Sequence, residues 1–362
     1  MKKTLAVVMV LAMALTLFGC STGGTKGELN VSVFFYDYSD TYIGSVRAAM
    51  EEGLKADSIA YTFYDAASDQ SKQTTQVETA LTQGSNLLIV NIVTTGSDEA
   101  AQNIVDAAKA KGVPVIFFNR EVSDSVVNSY EKCCFVGTDA DEAGYMQGQM
   151  IYDFLKAEGN MAKYDLNGDG KINYVMFRGE LGNAEAFGRT LYSVSNANTL
   201  FGSTVLVPSA ANQTDATQPD DGVSPYYLYG NWSAANAKNL MDTALTTYSL
   251  TNGDIEIIIA NNDDQALGAI ESMNEKGFNT GDAAASYIPV FGVDATAVAQ
   301  DAIANGKMTG TIKQDAAGMA NGIIFLAKNI GAGKDLMADT GSFNVDEGVA
   351  KIRIPYAIFT GK

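Results

Sequence analysis

Several short apolar runs in this sequence end in clusters of residues able to hold a polar molecule. Tyr36-Asp37-Tyr38-Ser39-Asp40-Thr41-Tyr42 follows one run and Asn119-Arg120-Glu121 another; later come the stretch from Arg178 to Arg189, Asn261-Asn262-Asp263, Asp294 and Lys313-Gln314-Asp315. The set combines carboxylates, amides and guanidinium with tyrosines and the single tryptophan, Trp232. It suits a sugar, because a carboxylate or amide can engage two neighbouring hydroxyls while an aromatic face covers the C–H patches of a ring. A phosphate site would show glycine-rich turns at a helix start, and no such fingerprint is present. Taken singly, an Asp or Asn after a strand serves as a turn former or helix N-cap, and Trp232 as a core residue. Joint placement at the same end of successive strands is what points to a site, and the residues alone carry that reading as far as a small polar ligand.

A second constellation is Asp165-Leu166-Asn167-Gly168-Asp169-Gly170-Lys171-Ile172-Asn173. Oxygen ligands at positions 1, 3 and 5, a glycine at 6, a backbone carbonyl at 7 and a side chain at 9 match a calcium-binding loop. Position 12, where an EF-hand places a bidentate glutamate, is Met176, and the loop runs into a strand rather than a helix. The closing carboxylate must come from elsewhere, and Glu256, opening a neighbouring strand candidate, is the expected one. The alternative is a hydrated Asp-Gly turn.

The elements that must position these groups alternate in a βα pattern. Strands are expected at Asn30–Phe35, Ile59–Tyr64, Leu87–Ile92, Val113–Phe118 and Cys133–Val136. A second set follows at Ile172–Phe177, Ser203–Pro208, Ile255–Ala260, Tyr287–Phe291 and Met308–Ile312. Helical segments include Ser45–Lys55, Ser71–Thr82, Ser97–Lys111 and Ala140–Glu158. Runs such as Leu-Leu-Ile-Val-Asn-Ile belong in parallel sheets covered on both faces, so the expected fold class is α/β, with two doubly wound parallel-sheet lobes. In such sheets ligands bind beyond the carboxyl ends of the strands. Ser209 to Tyr229, rich in Pro, Asp, Thr and Tyr, reads as a long irregular loop or insertion.

The chain opens with Lys2 and Lys3, then an uncharged apolar run from Leu5 to Phe18 that is shorter than the ~20 residues a membrane-spanning helix needs. Leu17-Phe18-Gly19-Cys20 resembles a bacterial lipobox, so residues 1–20 are expected to be an export signal with lipid attached at Cys20 and residues 21–28 a polar tether. Loss of Lys2 and Lys3 takes the formal charge from -18 to -20, a surface that repels nucleic acid and anionic membranes. Cys133 and Cys134 are adjacent, a spacing that rarely reaches disulfide geometry, and read as strand core. The chain has no histidine, which excludes Ser-His and Cys-His catalysis. A glycosidase using paired carboxylates, for instance Asp40 and Asp294, is the enzymatic alternative.

From Leu29 to Tyr356 the sequence resembles the glucose/galactose-binding proteins of bacterial uptake and chemotaxis, within the type I periplasmic-binding-protein superfamily. The likeness is densest at Ser68-Asp69-Gln70-Ser71-Lys72-Gln73, Pro114 to Asn119, Val136-Gly137-Thr138-Asp139, the calcium loop, Ile259 to Asp263 and Pro289 to Asp294. The resemblance implies two lobes joined by three hinge crossings, 29–137 with 315–353 and 138–314 with 354–362, closing on D-glucose or D-galactose stacked between Tyr42 and Trp232. Asp40, Asn119, Arg189, Asn262 and Asp294 stand where the family's hydrogen-bonding residues stand, and Ca2+ would be held by Asp165, Asn167, Asp169, the Lys171 carbonyl, Asn173 and Glu256. Asn183 replaces the family's histidine, Glu185 an aspartate, Gln314 an asparagine and Tyr42 a phenylalanine. The added methylene of Glu185 shifts an acceptor by about a bond length, enough to change which sugar epimer or pentose fits. The implied partners are the permease subunits of an ABC transporter, with a chemoreceptor or sensor kinase as the alternative, for a monomer held at the membrane only by its lipid.

Overall fold

A computed structural model describes residues 29–214 and 227–361. Residues 1–28, on which the expected export signal, Cys20 and the expected tether fall, and residues 215–226 of the long loop lie outside the described residues.

Two sheets form, each with buried central strands and more exposed edge strands, flanked by helices. The first takes β1 (Asn30–Phe35), β2 (Ala60–Asp65), β3 (Leu87–Val90), β4 (Val115–Phe118) and β5 (Cys133–Gly137). The second takes β6 (Ile172–Arg178), β7 (Leu206–Pro208), β8 (Leu228–Tyr229), β9 (Ile257–Ala260), β10 (Val290–Asp294) and β11 (Gly310–Lys313). Every residue of β3, β4, β9 and β10 is buried, the signature of a central parallel strand covered on both faces. Cys133 and Cys134 sit in β5 as free, buried thiols.

The chain end returns to both sheets. β12 (Asn344–Val345) and β13 (Lys351–Arg353) join the first, and β14 (Ala357–Phe359) joins the second. The orders are β12-β13-β5-β4-β3-β1-β2 and β14-β11-β10-β9-β6-β7, with β8 on β6. The expected two parallel-sheet lobes are present, with antiparallel strands added at their edges: β12 runs antiparallel to β13, and β14 to β11. The short connection from β12 to β13 cannot make the long crossover that a parallel neighbour needs, whereas β14 reaches β11 only after the chain has passed through the first lobe. Three passages link the lobes, after β5, after β11 and between β13 and β14.

Strand boundaries also move. The strand expected from Tyr287 begins at Val290, because the Asn279 side chain binds both the N–H and the carbonyl of Ile288 at 2.9 and 2.7 Å and holds the preceding segment off the ladder. The stretch from Ser209 is not irregular throughout: a 3-10 turn forms at Ala210–Thr214, and β8 pairs Leu228 with Phe177 and Tyr229 with Arg178. The second strand set thus sends an extra short strand beside β6, just ahead of Trp232.

Helices Ala140–Lys156 and Ala184–Phe201 approach closely because glycines line the contact. A Cβ at Gly144 would lie 2.3 Å from the Gly188 carbonyl oxygen, and one at Gly188 2.6 Å from that of Ala140. This contact seats Asn183, Glu185 and Arg189, which lie at the cleft end of the second helix.

Candidate functional site

Every sugar-site residue expected from sequence lines one cavity between the lobes: Asp40, Tyr42, Asn119, Asn183, Glu185, Arg189, Trp232, Asn262, Asp294 and Gln314. Two residues that were not singled out, Tyr36 and Arg120, complete the wall. The cavity encloses about 40 Å³ of free space. That is several times the roughly 10–15 Å³ one water needs, so it takes a small compact molecule.

Three of these side chains are also helix N-caps, so the local and the ligand-facing roles coincide. Asp40 accepts from the Ile43 N–H at 2.8 Å, Asn183 from Ala186 at 3.0 Å and Asn262 from Gln265 at 3.0 Å. The three helix starts thereby aim at the cleft. The second oxygen of Asp40 receives the Tyr36 hydroxyl at 2.6 Å, and the Asn262 amide donates to the Trp232 carbonyl at 3.1 Å. That last bond ties the tryptophan loop to β9.

Arg189 is buried and fastened on several sides. One Nη donates to the Asn261 carbonyl at 2.9 Å; the other donates to Gln314 Oε1 at 3.1 Å and to the Tyr356 hydroxyl at 3.0 Å. Tyr356 in turn donates to Thr138, so the guanidinium is linked to two of the interlobe passages. Asp294 lies 3.9 Å from Arg189 and is buried. Burial raises its carboxyl well above the usual carboxylate range, against the pull of Arg189. The Arg189 guanidinium lies 5.7 Å from the Trp232 ring.

The remaining polar atoms of this wall are buried without partners among the described residues: both carboxyl oxygens of Glu185, Nε of Arg189, Nε1 of Trp232, Nε2 of Gln314 and Nε of Arg120. Backbone geometry is unusual at the same place. Asn119, Trp232 and Asp294 have φ of 61°, 65° and 122°, a region that residues other than glycine seldom occupy and that concentrates at binding sites.

Away from the cleft, the loop from Asp165 to Asn173 curls around backbone N–H groups. Asp165 accepts from Gly168, Asp169 and Gly170, and Glu256 spans the loop by accepting from Leu166 at 2.6 Å and Asn173 at 2.7 Å. Asn173 spends its Nδ2 on the Gly253 carbonyl, which leaves its Oδ1 as the free acceptor. The Lys171 ammonium turns away to the Thr204 carbonyl. Burial first, with the Asp165 charge contributing, raises the Glu256 carboxyl. Among the described residues no three acidic, His or Cys side chains converge as a metal cage, so any cation here would rest on amide and carbonyl oxygens as well as carboxylates.

With the fold and this cleft defined, the class is clear: the profile of the periplasmic binding protein domain matches residues 31–335, and the chain belongs to that family. It is 32% identical over 357 residues to the D-galactose/methyl-galactoside binding periplasmic protein MglB of Haemophilus influenzae, spanning 98% of this chain and 96% of that one. The D-xylose-binding periplasmic protein of Escherichia coli is 26% identical over 288 residues, 79% of this chain and 73% of that one. An ABC transporter solute binding protein from Bacillus halodurans, solved with myo-inositol, shares the fold at a TM-score of 0.69 and 24% identity, covering 93% of this chain and 96% of that one. One from Clostridium phytofermentans, solved with β-D-glucose, does so at 0.69 and 20%, covering 92% and 94%. The family consists of binding proteins, and this chain is one rather than an enzyme.

Burial lifts the Glu185 carboxyl from 4.5 to about 7, against the pull of Arg189. Its contribution to folding is therefore complete below about pH 4.5 and lost as pH rises through about 7. Glu185→Gln should gain on the wild type by roughly 3 kcal/mol across that window, read as a difference in melting temperature that widens with pH. A difference that stays constant would show that the carboxyl is not held protonated.

Proposed function

We propose that this chain is the extracytoplasmic binding subunit of an ABC-type sugar uptake system, and that it clamps D-glucose or D-galactose between its lobes. The observation that carries this reading is the mixture of buried, unpartnered groups around one cavity. Glu185 supplies acceptor capacity, joined by an O–H donor while its carboxyl is protonated, and Arg189, Trp232 and Gln314 supply donors. Leaving such groups unpaired costs about 1–3 kcal/mol each, and a ring of hydroxyls can answer both kinds at once. A plain anion or cation can answer only one. Tyr42 and Trp232 provide apolar faces beside these groups, and the similarity to MglB favours a hexose.

A second reading, a pentose or cyclitol, is favoured by specific features. The relatives include a xylose-binding protein, one fold neighbour holds myo-inositol, and Glu185 and Asn183 depart from the hexose pattern at the side that reads epimers. A thermal-shift and calorimetry panel of monosaccharides separates the two. Glucose or galactose should raise the melting temperature and change Trp232 fluorescence, and Trp232→Ala should weaken binding at least tenfold, about 1.4 kcal/mol. A shift only with xylose or inositol would replace the hexose reading; no shift with any would remove it.

The Asp165–Asn173 loop fits a calcium ion by its chemistry. Its donors are hard oxygens from Asp165, Asn167, Asp169, the Lys171 carbonyl and Asn173, and Glu256 is buried beside them with its ammonium neighbour turned away. Bound calcium would be structural, neutralising acidic charge and pinning the loop ahead of β6. At a hundredfold excess over its dissociation constant it would add about 2.7 kcal/mol. A chelator should therefore lower the melting temperature, and Glu256→Gln should abolish the calcium-dependent part; an unchanged melt would exclude the ion.

The leader sequence supports a lipid on Cys20 as the membrane attachment. Cys20→Ala should move the protein from the membrane fraction to the soluble exported fraction, and retention at the membrane would count against lipidation.

A further inference from the structure

Arg120 stands on the boundary between two cavities. The inner one is the site described above; an outer one of about 700 Å³ opens at the cleft mouth. Tyr36, Asp40, Arg120 and Trp232 line both. Among these, Arg120 is the residue that bonds across the cleft: it follows β4 in the first lobe and pairs with Glu180, which follows β6 in the second. The same Nη donates to the Val93 carbonyl of its own lobe at 2.8 Å, and the guanidinium lies 4.3 Å from the centre of the Tyr36 ring. Its Nε is buried without a partner among the described residues. The residue is 4% exposed, so the plane is stacked on one side and anchored at its tip. It cannot swing aside without giving up the ion pair, the carbonyl bond and the stacking together.

Neighbouring contacts hold the two rims in register around it. Thr41 of the first lobe donates to Asp264 of the second at 2.9 Å. A Cβ placed on Gly96 would lie 3.1 Å from Cα of Gly182 on the opposite lobe, so the two backbones nearly touch there. Among the described residues, the outer cavity is bounded by Asp37, Asp40, Glu180 and Asp264 against one cation, Arg120. That balance disfavours anionic substituents and leaves steric passage past Arg120 as the test for neutral ones.

We propose that Arg120, anchored by Glu180, is the gate of the sugar cavity. It walls a bound monosaccharide off from the outer cavity and sets how large a substituent the ligand can carry. This rests on the reading that the inner cavity takes a monosaccharide. A free sugar lies wholly inside the wall, whereas a sugar bearing a second ring has to occupy the place of the guanidinium and break its anchor. Specificity then comes from a clash built against the larger ligand, in addition to contacts made with the smaller one. Arg120 is a positioning residue in this account, and Glu180 acts through it.

The experiment measures, on the mature chain, the affinity for a free hexose and for a disaccharide of that hexose in the wild type, Arg120→Ala, Arg120→Met and Glu180→Gln. Stopped-flow Trp232 fluorescence gives the release rates. The wild type should prefer the free hexose by about a hundredfold, and Arg120→Ala, which joins the two cavities, should shrink that ratio at least about tenfold. Arg120→Met and Glu180→Gln keep bulk at the gate but loosen its anchor, so they should preserve most of the ratio while speeding hexose release by about tenfold. A ratio unchanged in Arg120→Ala, or a wild type that binds the disaccharide as tightly as the hexose, overturns the gate while leaving the sugar site standing. Absence of binding to any monosaccharide overturns both.

Discussion

The constraint on which the rest of this structure depends is the burial of the Arg189 guanidinium between two lobes. A charge taken out of water at such a depth is tolerable only where hydrogen bonds and opposite charge replace its hydration. Here the replacements come from separate parts of the chain: the Asn261 carbonyl after β9, Gln314 after β11 and Tyr356 beside the last passage. Asp294 lies 3.9 Å away, its own carboxyl raised well above the usual carboxylate range by burial. The chain must therefore bring several strand ends to one point before this arginine can be accommodated. Nε is left over, and its neighbours Glu185, Trp232 and Gln314 are left over as well. Unpaired donors and acceptors that share one cavity wall are what a polar ligand completes.

Buried amides carry the geometry that keeps those deficits together. In the first lobe Asn91 accepts from the Tyr36 N–H and donates to the Phe118 carbonyl and to Asn119, tying the ends of β1 and β4 beneath the cavity. In the second lobe Asn261 accepts from the Gly179 N–H and from Thr190, tying β6 to the helix that bears Arg189. Gln265 reaches the Arg178 carbonyl and extends the same net. The Asn91 bond holds Asn119, and the Asn262 bond to its carbonyl holds Trp232, at positive φ, conformations that a free loop would relax. The cost is borne by the scaffold before any ligand arrives, so a ligand meets a wall already shaped.

Much of this was legible in the sequence, because continuous apolar strands and capped helices are local signals. The strand sets and the convergence of polar strand ends follow from period and composition, whereas the first helix, expected from Ser45, starts at Thr41 behind its Asp40 cap. Asp40, Asn183 and Asn262 show why the ordinary explanation of a residue need not compete with the functional one, since each caps its helix and lines the cavity. What stayed hidden depends on distant partners. β12, β13 and β14 are too short to announce themselves, and the start of β10 is set by Asn279 from outside the strand. Tyr36 and Arg120 were visible as members of polar clusters, but their selection from those clusters required knowing that Glu180 faces them from the other lobe. The one signal available in sequence was position, since each immediately follows, or lies next but one after, a central strand.

The interlobe ion pair also limits how firmly closure can be held. Arg120 is almost wholly removed from water, with 5% of its side chain exposed, whereas 27% of the Glu180 side chain remains exposed. The arginine pays most of the desolvation and recovers it in part from Val93 and Tyr36, while the glutamate keeps much of its hydration. An asymmetric pair of this kind biases the closed arrangement without locking it, because the exposed partner can return to water at little loss. That balance is what a capture protein requires. A ligand can shift the lobes only by its difference in affinity for the two arrangements, and the affinity it shows is reduced by whatever fraction of the protein is not competent to receive it. A much stronger clasp would close the cleft against entry, and a much weaker one would leave the unsatisfied wall around Glu185 and Arg189 to be organised by the ligand alone.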